Sequence, residues 1–319
     1  MQLAALAEGV AVDAADAIEW ISGHALSRPV LVDVTAADTH AVLERALGHG
    51  WDVVLANKIP LAAPLAATDR LHRVALEQGA RILCEATVGA GLPVIDTIRK
   101  LTEAGDTIVR IEGCPSGTLG YLFGELCRGE AFSAAVAGAV AAGYAEPDPR
   151  VDLSGLDVAR KALILGRLAG FTGDLDDVSV ESLVPASMQD LSRDEFMARL
   201  PELDAAWDAR IGAARAAGRL LRYRACVTRR SVAVGLVEVA PHDPLGSLSG
   251  TDNQFAFTTG RYRQQPLVIT GPGAGPAVTA AGVVTDLHCL AAADRRPRTP
   301  ARQRHRTPEP LPGGYLATV

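Results

Sequence analysis

The first part of the chain alternates short β-branched runs with segments of helical pattern, and this alternation restricts the fold more than any other feature. The runs at 30–34 (V-L-V-D-V) and 51–56 (W-D-V-V-L-A) are each followed by a helical pattern, and R-I-L-C-E-A at 81–86 follows the second of these patterns. Strands that alternate with helices at this spacing predict a parallel sheet of βαβ units. We therefore expect an α/β protein.

From residue 219 onward the pattern changes to a series of strands. They are L-L-R-Y-R-A-C-V, S-V-A-V-G-L-V-E-V, N-Q-F-A-F-T-T and Q-P-L-V-I-T, in that order. Their partial alternation of apolar and polar residues predicts an antiparallel sheet with one face exposed. The final stretch, 292–319, is rich in proline and arginine and is expected to be disordered, because it has too few apolar residues to bury a core.

Composition excludes several classes of protein. The formal net charge of −6 argues against a general binder of nucleic-acid backbones, and no apolar run is long enough to span a membrane. The five cysteines, at positions 84, 114, 127, 226 and 289, show no C-x-x-C spacing, so we interpret them as reduced thiols rather than zinc ligands or disulfides. These features predict a cytoplasmic protein that binds neither nucleic acid nor membrane.

The segment 143–161 concentrates ionisable side chains in one place. Its two prolines, in E-P-D-P, predict an extended loop, and Ser154 is predicted to cap the following helix in a capping box with Asp157. Asp157 and Lys161 are four residues apart and would lie on the same helical face. The side chains that could surround one small polar ligand are Glu146, Asp148, Asp152, Asp157 and Lys161.

Two interpretations of this segment remain open. An exposed helix often begins with a capped Asp that pairs with a Lys one turn later, and such a pair contributes only ~0.3–0.5 kcal/mol. Alternatively, nearby carboxylates stabilise the charge of a lysine while burial favours its neutral amine, and this competition can tune a proton donor. The additional carboxylates before the helix favour the second interpretation, since a helix start does not need them.

Polar residues follow the predicted parallel strands. Thr35, Lys58 and Glu85 each fall at the carboxyl end of one strand. Ligands bind at this edge of open parallel sheets, and the topology brings successive strand ends together. A lone polar residue after a strand is more often part of an ordinary loop, but three at successive strand ends suggest a ligand site.

Two glycine-rich loops do not match a dinucleotide fingerprint. The loop 85–93 (E-A-T-V-G-A-G-L-P) lacks the G-x-G-x-x-G register, and in the loop 271–276 (G-P-G-A-G-P) the third glycine is replaced by Pro276. The loop 85–93 could serve as a hinge between domains. Alternatively, its backbone carbonyls could bind a hard monovalent cation.

Several motifs occur in the order that is typical of homoserine dehydrogenases. They are V-D-V-T (32–35), A-N-K (56–58), E-A-T-V-G-A-G-L-P (85–93), E-G-C-P-S-G-T (112–118), S-L-S-G-T-D-N (247–253) and G-A-G-P-A-V-T-A-A-G (273–282). Together with the segment 143–161 they make the chain resemble this family over roughly residues 30–291. Its members interconvert L-aspartate 4-semialdehyde and L-homoserine with NAD or NADP, in threonine and methionine biosynthesis.

The resemblance implies roles for the candidate residues. Lys161 would exchange a proton with the substrate oxygen, Asp157 would orient the Lys161 amine, and Lys58 would complete the catalytic group. The substrate would be bound by Glu146, Asp152, Asp157 and Lys58. The cofactor would be bound by Thr35, Lys58 and Gly275. A sodium ion would be held by Glu85 and by the carbonyls of Val88, Ala90 and Leu92.

The resemblance also implies the domain organisation. A truncated Rossmann-like parallel sheet would occupy 1–92 and be completed by a helix at 275–291, and an α+β catalytic and dimerisation domain with an antiparallel sheet would occupy 93–274 of a homodimer. The family begins with a strand, a glycine-rich turn and a helix that hold the pyrophosphate, and 1–29 contains no G-x-G-x-x-G. We therefore expect either a truncated sequence or a natural variant with weakened cofactor binding. The alternative function is a catalytically impaired homoserine dehydrogenase-like subunit that binds no cofactor.

Overall fold

The computed structural model describes residues 14–24 and 27–293. Its first sheet contains three parallel strands, β1 (Val30–Asp33), β2 (Asp52–Leu55) and β3 (Ile82–Leu83), in that order across the sheet. The helices before and between them are α1 (Ala14–Ser22), α2 (His40–Gly48) and α3 (Leu65–Gln78). The predicted parallel βαβ arrangement is confirmed. Strand β3 is short because a 3₁₀ turn, Glu85–Thr87, begins almost at once.

The second sheet is built from six strands. They are β4 (Ile108–Cys114), β5 (Ser179–Val180), β6 (Leu220–Val227), β7 (Val232–Val239), β8 (Asp252–Thr259) and β9 (Leu267–Pro272). Their order across the sheet is β5-β7-β6-β4-β8-β9, and every neighbouring pair is antiparallel except β5 and β7. The predicted antiparallel sheet is confirmed. The parallel β5 was not predicted, because two residues carry no periodicity.

Further helices belong to the part of the chain that contains the second sheet. They are α4 (Val94–Glu103), α5 (Gly117–Arg128), α6 (Phe132–Ala141), α7 (Arg150–Leu153), α8 (Leu156–Leu168), α9 (Arg193–Arg199) and α10 (Asp204–Ala216). Helices α5 and α8 both pack against β6. Phe255 and Phe257 alternate along β8 and are fully buried in the main apolar cluster. Burial of such side chains is the main stabilising contribution, since truncating one to Ala typically costs ~3–5 kcal/mol.

The start of α8 differs from the prediction in two respects. The capping box of Ser154 and Asp157 is wrong, because α8 begins at Leu156 behind Gly155, which has a left-handed φ of 75° and makes no side-chain cap. Ser154 instead ends the short helix α7, and its hydroxyl donates to the Val151 carbonyl. The extended loop is also interrupted, since α7 starts directly after Pro149. Proline is compatible with the first turn of a helix, where no intrahelical donor is needed.

Helix α11 (Pro276–Ala293) returns the chain to the first sheet. Its Val283 and Leu290 pack with Val54 of β2 in one apolar cluster. The helix predicted at 275–291 therefore exists, with ends shifted by one and two residues. Residues 294–319, most of the tail predicted at 292–319, lie outside the described residues. In the described part of the chain, no helix has the length and apolar character needed to cross a bilayer.

Candidate active site

Three charged side chains meet where the first sheet approaches α8. Lys58 follows β2, and its Nζ lies 3.4 Å from Oδ1 of Asp157. On α8, Nζ of Lys161 lies 2.8 Å from Oδ2 of the same carboxylate. The i,i+4 spacing on one helical face explains the second contact, as predicted. The first contact joins residues that are far apart in the sequence. We call Lys58, Asp157 and Lys161 the ionic cluster.

The ionic cluster keeps Asp157 charged. Burial by itself would raise the pKa of Asp157, but the ammonium groups of Lys161 and Lys58 outweigh it and lower the pKa from 3.8 to about 2. An opposite charge within ~4–6 Å favours the ionised form of a carboxyl group, and here two such charges act together. Asp157 is therefore a carboxylate at neutral pH and can orient both amines.

The Lys161 amine has a second fixed acceptor. Its Nζ donates to the Pro115 carbonyl at 2.8 Å, and the Lys161 side chain is only 13% exposed. Pro115 lies in the turn before α5. Ser116 is the N-cap of this helix, and its hydroxyl accepts the Leu119 N–H at 3.2 Å. An ammonium group has three N–H donors, so one remains for a ligand after Asp157 and Pro115 are satisfied.

Asp152 braces the loop that precedes α7. Its Oδ2 accepts the Glu146 backbone N–H at 2.9 Å, and its Oδ1 lies 3.0 Å from the Thr118 hydroxyl. Burial raises the pKa of Asp152, and the charges of Glu146 and Asp157 add to this effect, whereas the hydrogen bonds from Glu146 and Thr118 oppose it. The Glu146 side chain is exposed, so Asp152 fixes the backbone from which Glu146 extends.

Asp148 does not join the other acidic side chains. Its carboxylate forms an ion pair with Arg150 at 2.6 Å. Arg150 also donates to the carbonyls of Gln189 and Leu191 and lies over the ring of Phe196. The interpretation of Asp148 as part of the ligand-facing group is therefore wrong, because its partners hold it against the segment before α9.

A buried network joins the ends of β1 and β2. Asp33 is 5% exposed, and its carboxylate accepts hydrogen bonds from the Thr35 N–H and hydroxyl, the Thr39 hydroxyl and the Asn57 amide. Burial opposes ionisation of Asp33, but these hydrogen bonds lower its pKa. Asn57 also donates to the Ala37 carbonyl at 2.8 Å. Sequence reasoning found Thr35 but assigned no role to Asp33 or Asn57, although both occur in the quoted V-D-V-T and A-N-K motifs.

Glu85 lies beneath the N-terminus of α4. Its two carboxylate oxygens accept the backbone N–H groups of Ile95 and Asp96, each at 2.8 Å. Burial raises the pKa of Glu85 to about 7, although these two hydrogen bonds oppose the rise. Its own backbone N–H donates to Asp286 of α11 at 2.9 Å. The turn that follows contains Ala90 with a left-handed φ of 55°.

This turn is compatible with a monovalent cation. A buried carboxylate whose pKa is raised gains from a nearby positive charge, and the Glu85 carboxylate accepts hydrogen bonds from two neutral backbone amides. The Leu92 carbonyl, however, already accepts the Val94 N–H at 2.8 Å. Within the described residues, no group of three or more His, Cys, Asp or Glu side chains could form a conventional metal site.

The turn before α11 is held in a special backbone conformation. Gly275 has a φ of 110°, in a region that strongly favours glycine. Its carbonyl accepts hydrogen bonds from the backbone N–H and the hydroxyl of Thr279. Gly273, two residues earlier, packs so closely on Asn253 that an added Cβ would lie 2.0 Å from the Asn253 amide. The path of the chain from β9 into α11 therefore depends on these two glycines.

Comparison with known proteins identifies the family of the chain. The sequence model described as homoserine dehydrogenase matches residues 93–288, more than half of the chain. The chain belongs to the homoserine dehydrogenase family. It is 46% identical over 273 residues to the chloroplastic bifunctional aspartokinase/homoserine dehydrogenase 2 of Zea mays, a match that covers 84% of this chain and 30% of the relative. The chain thus spans less than a third of the length of that relative.

In two further comparisons, the match covers most of this chain and most of the relative. The homoserine dehydrogenase of Paracoccidioides brasiliensis is 41% identical over 285 residues, covering 85% of this chain and 77% of the relative. A structure described as a hyperthermophilic archaeal homoserine dehydrogenase in complex with NADPH superimposes with a TM-score of 0.68 at 25% identity. That superposition covers 90% of this chain and 77% of the archaeal one.

In this homoserine dehydrogenase chain, the predicted site residues fall into separate groups. The three members of the ionic cluster are in contact, as described above. Asp152 contacts the Glu146 backbone beside this cluster. Thr35 belongs to the Asp33 network at the strand ends, whereas Glu85 caps α4. The roles assigned to these residues remain predictions.

Proposed function

We propose that the chain catalyses the NAD(P)-dependent interconversion of L-aspartate 4-semialdehyde and L-homoserine. The observation that carries this proposal is the ionic cluster, in which a carboxylate orients two amines at the junction of the two sheets. Its family membership and the NADPH complex of an archaeal relative support the same function.

Lys161 is the proposed proton donor in the direction of reduction. When bound, the dihydronicotinamide would supply the hydride to the aldehyde carbon. Lys161 would donate a proton from Nζ to the developing alkoxide and take it back in the reverse reaction. Asp157 and the Pro115 carbonyl hold the amine and leave its third N–H for the ligand. Lys58 would add a second positive charge beside the same oxygen.

The ammonium group of the substrate requires negatively charged partners on a segment of the protein that is held in place. Glu146 and Asp152 are the proposed partners of the substrate ammonium group. Asp157 would bind the substrate hydroxyl, and Lys58 would complete the polar pocket. Asp152 hydrogen-bonds the Glu146 backbone and so fixes the point from which the Glu146 side chain extends. Because Asp152 is also a structural brace, its substitution should weaken both substrate binding and loop order.

The cofactor is proposed to bind across the strand ends. Thr35 and Lys58 lie at the carboxyl ends of β1 and β2, the edge where dinucleotides bind in open parallel sheets. Gly275 would approach the nicotinamide from the turn before α11. We also propose that the chain forms a homodimer through the second sheet and that it acts in the cytoplasm. Light scattering of the purified chain would test the dimer.

A sodium ion is proposed at Glu85 with the carbonyls of Val88, Ala90 and Leu92. The raised pKa of Glu85 supports this site, because a bound cation would favour the carboxylate. Without a cation, ionisation of this buried group is unfavourable, so stability should fall as pH rises from ~4.5 toward ~7. Sodium should restore the loss and the larger cation choline should not. Equal thermal stability in both salts near neutral pH would contradict the site.

The principal experiment measures NADPH oxidation that depends on aspartate semialdehyde. Lys161→Met should lower kcat by ~10²–10⁴-fold, the range for loss of a general acid, with little loss of stability. Lys100→Met is the matched control, because Lys100 forms the same i,i+4 pair with Asp96 on α4 but is 71% exposed. It should retain normal turnover. Equal turnover of Lys161→Met and the unsubstituted chain would refute the role of Lys161.

A fluorescence titration with NADPH tests the alternative function separately. Micromolar binding would support the dehydrogenase, since NADPH would then occupy the site at cellular levels. An absence of binding would favour the impaired, cofactor-free subunit.

A further inference from the structure

The last turn of α8 carries a buried arginine that contacts the first domain. Arg167 is 5% exposed, and its Nη1 donates to the carbonyls of Leu61 and Ala63 at 2.8 Å and to the Thr68 hydroxyl at 3.0 Å. A guanidinium group buried in this way requires several acceptors, because desolvation of its charge is costly. All three of these acceptors lie on the segment that follows Lys58.

Asp174 completes the attachment from the loop after α8. Its Oδ1 accepts from Nη2 of Arg167 at 2.9 Å and from the backbone N–H of Leu65 at 2.6 Å. Leu65 is the first residue of α3, and the N-cap position of this helix, Pro64, supplies no side-chain cap. Asp174 is itself held in a capping box with Asp177. We call Arg167 and Asp174 the buried clamp.

Helix α8 is therefore attached to the segment 58–68 at both ends. The Lys58–Asp157 contact lies at its first turn and the buried clamp at its last turn, ten residues further and ~15 Å along the axis. The Lys58–Asp157 pair is partly exposed, and solvent screening makes the contribution of such a pair small. A hydrogen bond made by a charged, buried group contributes more than such an exposed pair. The buried clamp thus dominates the attachment.

We propose that the buried clamp is a positioning device that sets the distance between Lys58 and the Asp157–Lys161 pair. Arg167 would act through α8 and through the segment 61–68, so we class it as a positioning residue. This inference rests on the proposed dehydrogenase function, and it adds a determinant of catalytic geometry that lies outside the ionic cluster. An error of ~1 Å in such a geometry can lower the rate by ~10²-fold.

The test compares two buried arginines. Arg167→Lys keeps the positive charge, but one ammonium group cannot reach both the segment 61–68 and Asp174. Arg222→Lys is the matched control, because Arg222 is also 5% exposed and donates to carbonyls of Leu221, Leu245 and Gly246 within the second domain. Both variants should lower the melting temperature. Arg167→Lys alone should lower kcat, by ~10-fold or more.

A second readout does not depend on activity. NMR titration of the ¹³C-labelled carboxyl group measures the pKa of Asp157, and the Asp157→Asn variant assigns its signal. This pKa reports how close the Lys58 ammonium group is, because that charge lowers it. If Lys58 moves away in Arg167→Lys, the pKa of Asp157 should rise from about 2 toward 3.8, while Arg222→Lys should leave it unchanged. If Arg167→Lys does not fold, Asp174→Asn carries the same test with a smaller perturbation, because Asn retains an acceptor for Leu65.

The outcomes separate this inference from the proposed function. Unchanged kcat in Arg167→Lys, or a lower kcat with an unchanged Asp157 titration, would overturn the positioning role. An inactive unsubstituted chain would instead count against the proposed function, and the titration alone would then decide whether the buried clamp positions Lys58.

Discussion

Replacing Asp157 by Asn tests the charge balance of the ionic cluster. The fall of the Asp157 pKa from 3.8 to about 2 corresponds to ~2.5 kcal/mol of stabilisation of the carboxylate, at ~1.4 kcal/mol for each pKa unit. The side chain is 40% exposed, so solvent screening reduces this value, and we expect Asp157→Asn to lower the free energy of unfolding at neutral pH by ~1 kcal/mol.

The direction of the pH dependence follows from the lowered pKa. The carboxyl of the unfolded chain takes up a proton near 3.8, and that of the folded chain only near 2. The unfolded state therefore binds more protons in this range, and stability is lost as pH falls. The contribution of Asp157 should be complete above ~pH 5 and should disappear progressively toward ~pH 2.

Urea denaturation of both chains between neutral pH and the acid limit of folding measures this difference. The gap in unfolding free energy between the unsubstituted chain and Asp157→Asn should narrow as pH falls. Asp208→Asn, at an exposed position on α10, controls for the loss of an ordinary surface carboxylate. A gap that stays constant or widens in acid would refute the electrostatic argument.

Two further substitutions test the scaffold of the site. Asp33→Asn removes the charge at the centre of the strand-end network. It should lower the unfolding free energy by ~1–3 kcal/mol and weaken NADPH binding. Normal NADPH binding in a fluorescence titration would show that this network does not contribute to the cofactor site. Gly155→Ala should be destabilising by ~1–3 kcal/mol, because the added Cβ would lie 2.0 Å from the Tyr223 hydroxyl at a φ of 75°. Adding Tyr223→Phe should recover part of that loss in thermal denaturation, and no recovery would assign the whole loss to backbone strain.

Local patterns in the sequence account for much of the fold. The β-branched runs at 30–34 and 51–56 became β1 and β2. Continuous apolar residues suit β2, in which three of four residues are buried, whereas in β1 only Asp33 is buried. The four strands after 219 formed antiparallel pairs with the alternation that the sequence displays. The contact of Asp157 with Lys161 follows from helical spacing alone.

The failures occurred where a local rule competed with a distant contact. Ser154 has the residue type and spacing of an N-cap, but Gly155 takes that place because α8 lies directly against Tyr223 of β6. Asp148 has the same charge as Asp152, yet Arg150 and the carbonyls before α9 remove it from the site. Arg150 lies only two residues from Asp148, but the Gln189 and Leu191 carbonyls that fix Arg150 are about forty residues away. Tyr223 is also too distant from Gly155 in the sequence to be recognised as its neighbour.

The sequence by itself determined the class of sheet, the order of the strands along the chain and the charged residues available for chemistry. Only the tertiary structure decided which partner each of these charges meets: Lys58 meets Asp157, Asp33 meets Asn57, and Arg167 meets the carbonyls of Leu61 and Ala63. The physical reason is that periodicity reports which face of one element is buried, whereas a hydrogen bond or an ion pair between two elements depends on how both are packed.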